Sequence, residues 1–163
     1  MIASGPPRDS PAMELELTII TPERKHQVPR LRQVVFPSPT GEIGILPGHA
    51  ALLSIVDTGL VRAFAAGRDA NAPPLSFIVA NGSIRAIDNH LTLLTQRADR
   101  EDELELDAIH AELGHAEHRV ATLDPLYDAD AREEAIHATN YCAAAIALEQ
   151  EISTRHPDLT STA

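Results

Sequence analysis

The sequence is poor in the residues that mark several functional classes. One cysteine, Cys142, occurs among 163 residues, so there is no internal disulfide framework and no second thiol for a CxxC redox or zinc motif. A lone cysteine fits a reducing compartment and a packing role. No apolar run reaches the roughly 18 residues that a membrane-spanning helix needs, and the amino terminus lacks a basic-then-apolar export pattern. The expectation is a cytosolic chain that does not insert into a membrane by itself. Basic residues are scarce in the carboxyl-terminal part, where residues 99–163 hold 16 acidic residues against four arginines. Residues 1–98 are nearly balanced, with nine Lys and Arg against eight Asp and Glu. The net charge of -11 therefore sits in one part of the chain, which implies two structural units. Such a surface repels phosphate backbones and anionic lipid, which excludes nucleic acid and direct membrane binding and leaves a protein partner as the default.

What is present is ordinary core-forming sequence, 44% hydrophobic, enough for one domain with an appendage. Residues 1–12 are rich in Pro, Gly and Ser and read as a flexible leader, with Met13 as a candidate start. From Glu14 the chain reads ELELTIIT, in which Leu15, Leu17 and Ile19 alternate with Glu14, Glu16 and Thr18, the period of a half-buried strand. Further short strand-like runs follow at 33–36, 43–46, 51–56, 60–64, 76–80, 83–87 and 90–95, separated by Pro, Gly, Asn and Asp. Many short strands between such breakers predict a sandwich or barrel. Asn81-Gly82 and Asp88-Asn89 each lie between two runs and tolerate the positive φ of tight hairpin turns. Pro73-Pro74 ends a longer, polar hairpin loop.

After residue 98 the period changes. Leu106, Ile109, Leu113, Ala116, Val120 and Leu123 recur at spacings of three and four, an apolar seam on one helix face. Asp124-Pro125 interrupts that helix, and a second runs over 128–153. Its stripe is made of Ala135, Ala138, Cys142, Ala145 and Ile152, small side chains that let two backbones approach while burying little apolar area. Gly114 costs the first helix about 1 kcal/mol relative to alanine. The predicted organisation is an all-β sandwich over residues 13–98 followed by an acidic α-helical hairpin over 99–156, marginally stable alone, and a flexible tail over 157–163.

The residues give little support for catalysis. His49, Ser54 and Asp57 suggest a Ser-His-Asp triad, but no nucleophile elbow accompanies them. His110 and His115, five apart, fall on different helix faces, and His115 with His118 lacks further metal ligands. A metal enzyme built on these histidines is thus a weak reading. An interaction module remains, including a β-sandwich adaptor that dimerises through its helices.

Residues 41–53, GEIGILPGHAALL, make the reading specific. Gly44, Pro47, Gly48 and His49 are not explained by strand patterning. Gly41 and Gly44 permit backbone conformations closed to other residues, and Pro47-Gly48 forms a turn presenting His49 at a strand start. The segment resembles the GE-x-G-x-LPGHAPLL motif of F-type ATP synthase epsilon subunits, with Ala51 in place of proline. LTIITP at 17–22, IVANGSIR at 78–85 against that family's SGG-x-x-E hairpin, and residues 91–99 support the resemblance, which covers 13 to about 151.

The resemblance implies a non-catalytic stalk subunit that couples rotation to proton or sodium translocation, peripheral on the cytoplasmic face of the cell membrane. It implies that the sandwich clamps the gamma subunit and that the Glu42 loop meets the polar loops of the membrane rotor ring. Glu42, Gly44, Pro47, Gly48 and His49 become subunit-interface positions, and no cofactor is implied. ATP as a regulatory ligand would use an (I/L)-D-x-x-R-A motif, carried here by Leu106, Asp107, Ala108, Ile109, His110 and Ala111. His110 replaces the arginine and cannot make bidentate phosphate contacts, so binding is expected to be weak or absent. Inhibitory members of that family raise a second helix whose basic residues meet an acidic segment of the beta subunit. Here that helix carries six acids against Arg132 and should stay down.

Overall fold

The computed structural model describes residues 13–67 and 72–155. The expected leader over 1–12 and the tail over 157–163 lie outside the described residues, as does the middle of the loop that Pro73-Pro74 ends. Nine strands precede two helices: β1 (Leu15–Ile20), β2 (Lys25–Ser38), β3 (Gly41–Ile45), β4 (Leu52–Val56), β5 (Gly59–Ala65), β6 (Leu75–Val79), β7 (Gly82–Ile87), β8 (His90–Thr95), β9 (Ala98–Arg100), α1 (Leu106–Thr122) and α2 (Ala129–Arg155). A sandwich followed by a helix hairpin is what the periodicities predict.

The strands pair in the order β4-β7-β8-β1-β2-β5-β6-β9, with β3 added to β2. β2 is long enough to serve both layers. Its first half pairs with β1, its second half with β3 and β5, and the register breaks near Leu31. Arg30 takes φ 59° at that break, a left-handed conformation that bends the strand from one layer to the other. The core between the layers is filled by Leu15, Leu17 and Ile19 of β1, Leu91 and Leu93 of β8, Val34 and Phe36 of β2, and Phe77 of β6.

Two stretches are strand where periodicity gave none. Lys25–Arg32 reads KHQVPRLR; residues 25–28 pair with β1 alone, as the outer strand of its layer, where polar residues and Pro29 are tolerated, and Leu31 pairs with both β1 and β5. β9, three residues long, closes the other layer against β6.

The two expected hairpin turns part company. Asp88 and Asn89 take φ 49° and 65° and join the antiparallel β7 and β8, with Ile87 opposite His90. Asn81-Gly82 makes no hairpin, because β6 pairs with β5 and β9 while β7 pairs with β4 and β8. That step carries the chain between layers, and Gly82 has no positive φ. It is glycine because a Cβ there would lie 2.2 Å from the Leu94 carbonyl oxygen of β8.

The helices form the expected antiparallel pair. α1 turns Ile109 and Ala116 inward, and α2 buries Ala135, Cys142 and Ala145. Tyr141 and Leu148, absent from the predicted stripe, are buried as well and face the sandwich together with Ile78 of β6. The hairpin thus covers the outer face of the β5–β6 layer. That explains the unbroken apolar run Phe77-Ile78-Val79, which is buried on both sides.

Candidate functional site: an uncovered sheet face and a docked hairpin

The two outer faces of the sandwich differ. One lies under the hairpin. The other, formed by β4, β7, β8 and β1, carries outward-pointing Leu53 (76% exposed), Ile55 (62%), Leu94 (52%) and Ile87. Register places these side chains in rows across the strands. Ile20, Leu94, Ser83 and Ile55 form one row; Thr18, Thr92, Arg85 and Leu53 form the next; Glu16, His90 and Ile87 form the third. The inward residues of the same strands already fill the core, and this second apolar set lies outside it. An apolar patch rimmed by polar side chains marks a surface that another protein covers.

At one end of this layer, Leu46-Pro47-Gly48-His49 forms a reverse turn closed by the His49 amide donating to the Leu46 carbonyl (3.1 Å). Gly48 takes φ +80°, which the position after Pro47 requires in such a turn. The Gly48 amide donates to Asn89 Oδ1 at 2.7 Å, tying the loop to the β7–β8 turn. The expected turn is present, with β4 beginning at Leu52 instead of at His49.

The hairpin is held against the sandwich by a polar cluster beside its apolar seam. Asp99 of β9 accepts hydrogen bonds from Tyr141 Oη of α2 (2.6 Å) and Arg97 Nε (2.9 Å), and it pairs with Arg24 (3.2 Å). Arg97 also reaches Glu112 of α1 at 2.9 Å, and its guanidinium lies over the Tyr141 ring, 4.2 Å from the centroid. Burial by itself disfavours the charged form of Asp99, yet the hydrogen bonds from Tyr141 and Arg97 outweigh it and hold this carboxyl below its ordinary range. Burial first, and then the Asp99 hydrogen bond, push the Tyr141 phenol far up, so it stays a donor. On the opposite edge of the layer, Arg62 of β5 joins Glu42 of β3 (2.8 Å) to Glu151 of α2 (3.7 Å).

Residues 14–101 match the model of the ATP synthase Delta/Epsilon chain beta-sandwich domain. The chain belongs to the ATP synthase epsilon-chain family. The epsilon chain of Synechococcus elongatus is 35% identical over 108 residues, 66% of this chain and 75% of that protein. The epsilon chain of Prochloron didemni is 32% identical over 127 residues, 78% of this chain and 88% of that protein. Among solved structures, a chain in the Euglena gracilis mitochondrial ATP synthase OSCP/F1/c-ring assembly is similar in fold, with TM-score 0.67, 16% identity and 90% of each chain covered. Nothing in these likenesses supports an unrelated adaptor.

Within this epsilon-family chain the predicted site residues are not all brought together. Glu42 is the second residue of β3, exposed and ion-paired with Arg62, whereas His49 lies in the turn beyond the other end of that strand. Gly44 sits in regular β3 pairing opposite Val35 and has no positive φ; the conformational need expected there belongs to Gly41, at φ 116°. Asp107 and His110 are exposed on the first turns of α1, and His110 Nδ1 lies 2.8 Å from the Leu106 carbonyl of its own helix. Sequence reasoning missed the Asp99–Arg97–Tyr141 cluster and the Leu53, Ile55 and Leu94 face. The outward phase of the alternation in 53–55 and 92–94 held the signal for the face. No helix among the described residues is long and apolar enough to cross a membrane.

Proposed function

We propose that the chain serves as the non-catalytic epsilon subunit in the central stalk of an F-type ATP synthase. In this reading its sandwich clamps the gamma subunit, and rotation of the catalytic sector is thereby coupled to the ion-translocating membrane ring. The observation that carries the proposal is the uncovered apolar face of Leu53, Ile55, Leu94 and Ile87, which is the surface assigned to gamma. Burying four such side chains supplies several kcal/mol at about 25 cal/mol per Å², against the loss of translational freedom on association. Glu42 and His49, on opposite ends of β3, are assigned to the polar loops of the rotor ring, one contact each. The subunit would then sit peripherally at the cytoplasmic face of the membrane. The acidic hairpin stays docked, away from the beta subunit.

Co-expression with the gamma subunit of the same synthase tests this. The full-length chain should co-purify with gamma, and the Leu53→Asp, Leu94→Asp double variant should fall away while its thermal melt stays within a few degrees of the parent. Both positions point out of the core, so folding is spared. Retention of the double variant on gamma, or failure of the parent to bind, would refute the assignment.

A further inference from the structure

Arg85 stands in the middle of the uncovered face. It lies on β7 between Thr92 of β8 and Leu53 of β4 in register, with Ile55 and Leu94 in the adjoining row. Among the described residues its guanidinium makes no hydrogen bond and no ion pair. Six other arginines, Arg24, Arg30, Arg62, Arg97, Arg100 and Arg119, each meet Asp or Glu. Within the three rows of this face the one acid is Glu16, two strands away and already 3.3 Å from His90. A protein of net charge -11 therefore leaves one cation unpaired at the centre of an apolar patch.

We propose that Arg85 is a specificity-determining contact that receives a carboxylate from the gamma subunit, so that gamma presents an apolar patch centred on an Asp or Glu. The proposal rests on the reading above that gamma covers this face. A protein closing over the face removes water from the guanidinium, and an uncompensated buried charge is costly enough to prevent tight association. Only an acceptor at the centre of the partner's patch removes that cost. A carboxylate does so best, because its two oxygens match the planar fork of the guanidinium. A central arginine ringed by aliphatic side chains is also the composition of an energetic hot spot. A second copy of the chain is a poor occupant. A face-to-face two-fold dimer would set one Arg85 against the other near the axis, with no acid nearby to separate them.

Binding of the full-length chain to the gamma subunit, measured by surface plasmon resonance, tests the proposal with Arg85→Gln and Arg85→Glu. The expected losses are about fivefold for the neutral variant and about 30-fold for the reversed one, with unchanged melts. Changing the surface acids of gamma singly to lysine should identify one substitution that weakens the parent and restores the Arg85→Glu variant. Gamma binding by Arg85→Glu within twofold of the parent overturns the proposal while leaving the subunit assignment intact. Absence of parent binding overturns both. If Arg85→Glu instead lost binding only to vesicles containing phosphatidylglycerol, the guanidinium would belong to a lipid phosphate and the proposal would fail.

Discussion

Replacing Tyr141 by Phe tests how the hairpin is held. The ring is 2% exposed and stays packed beneath Arg97, so the substitution removes one hydroxyl and leaves the apolar seam intact. What is lost is the 2.6 Å hydrogen bond to Asp99 and a longer, 3.4 Å one to the Ile78 carbonyl. Hydrogen bonds to charged groups contribute about 1.5–3 kcal/mol. Asp99 keeps Arg97 and Arg24 and is 14% exposed at its side chain, enough for some water to replace the phenol, so the lower figure applies. About 1.5 kcal/mol changes the ratio of docked to undocked hairpin roughly tenfold. Hydrogen exchange read by mass spectrometry should show α2 amides over 138–148 opening about ten times more often, with β1 and β8 unchanged. Equal acceleration in strands and helix would mean that the hydroxyl stabilises the whole fold, and no acceleration would mean that it holds nothing. The same cluster fixes the pH response. Asp99 is held below its ordinary value of 3.8; a group depressed on folding stabilises fully above its unfolded value, and that contribution is lost as pH falls through the folded one. The Asp99 contribution to docking should therefore be flat from pH 5 to 8 and weaken only below about pH 4.

ATP should bind the isolated chain weakly or not at all, because Asp107 and His110 are exposed and His110 is turned to its own helix carbonyl. Calorimetry at millimolar nucleotide should show no saturable heat, His110→Arg should strengthen any binding present, and a clear isotherm from the parent chain would refute this. Removing residues 124–163 should change ATP hydrolysis by the assembled synthase less than about twofold, since α2 carries Asp130, Glu133, Glu134, Glu149 and Glu151 and would repel an acidic segment of beta. A several-fold rise would show the hairpin to be an inhibitor.

Fold class was legible because both periods are written plainly. β1 and β8 alternate, α1 repeats at three and four, and Asp124-Pro125 marks the corner between the helices. Local signals failed where the reason for a residue was a distant neighbour. Gly82 looks like a turn glycine but is required by the Leu94 carbonyl of β8. Lys25–Arg32 looks like a polar loop but is strand because β1 offers it a partner. Tyr141 does not fit the alanine stripe of α2, since it packs on the sandwich beside Ile78 and bonds Asp99 of β9. The Pro47-Gly48 turn was predicted from the residues themselves, a backbone requirement that needs no knowledge of the partner strand. Glu42 and His49 gave no warning that β3 separates them.

The two ways of covering an outer face have different energetic consequences. Over β5 and β6 the chain supplies its own cover, yet builds the helix pair from Ala135, Ala138 and Ala145, which bury little area, and supplements it with the Asp99, Arg97, Glu112 and Tyr141 cluster, partly open to water. Lifting this cover would expose Ile78, Tyr141 and Leu148 and rehydrate the charges, while leaving the separate Leu17 and Phe36 core undisturbed. Over β4, β7 and β8 the chain supplies no cover and exposes branched aliphatic side chains, which favour a lasting contact once water is expelled. On the proposed reading, a permanent grip belongs to the second face and a separable arm to the first. Exchanging the chemistry of the two would leave the sandwich core unchanged while reversing which of them lets go.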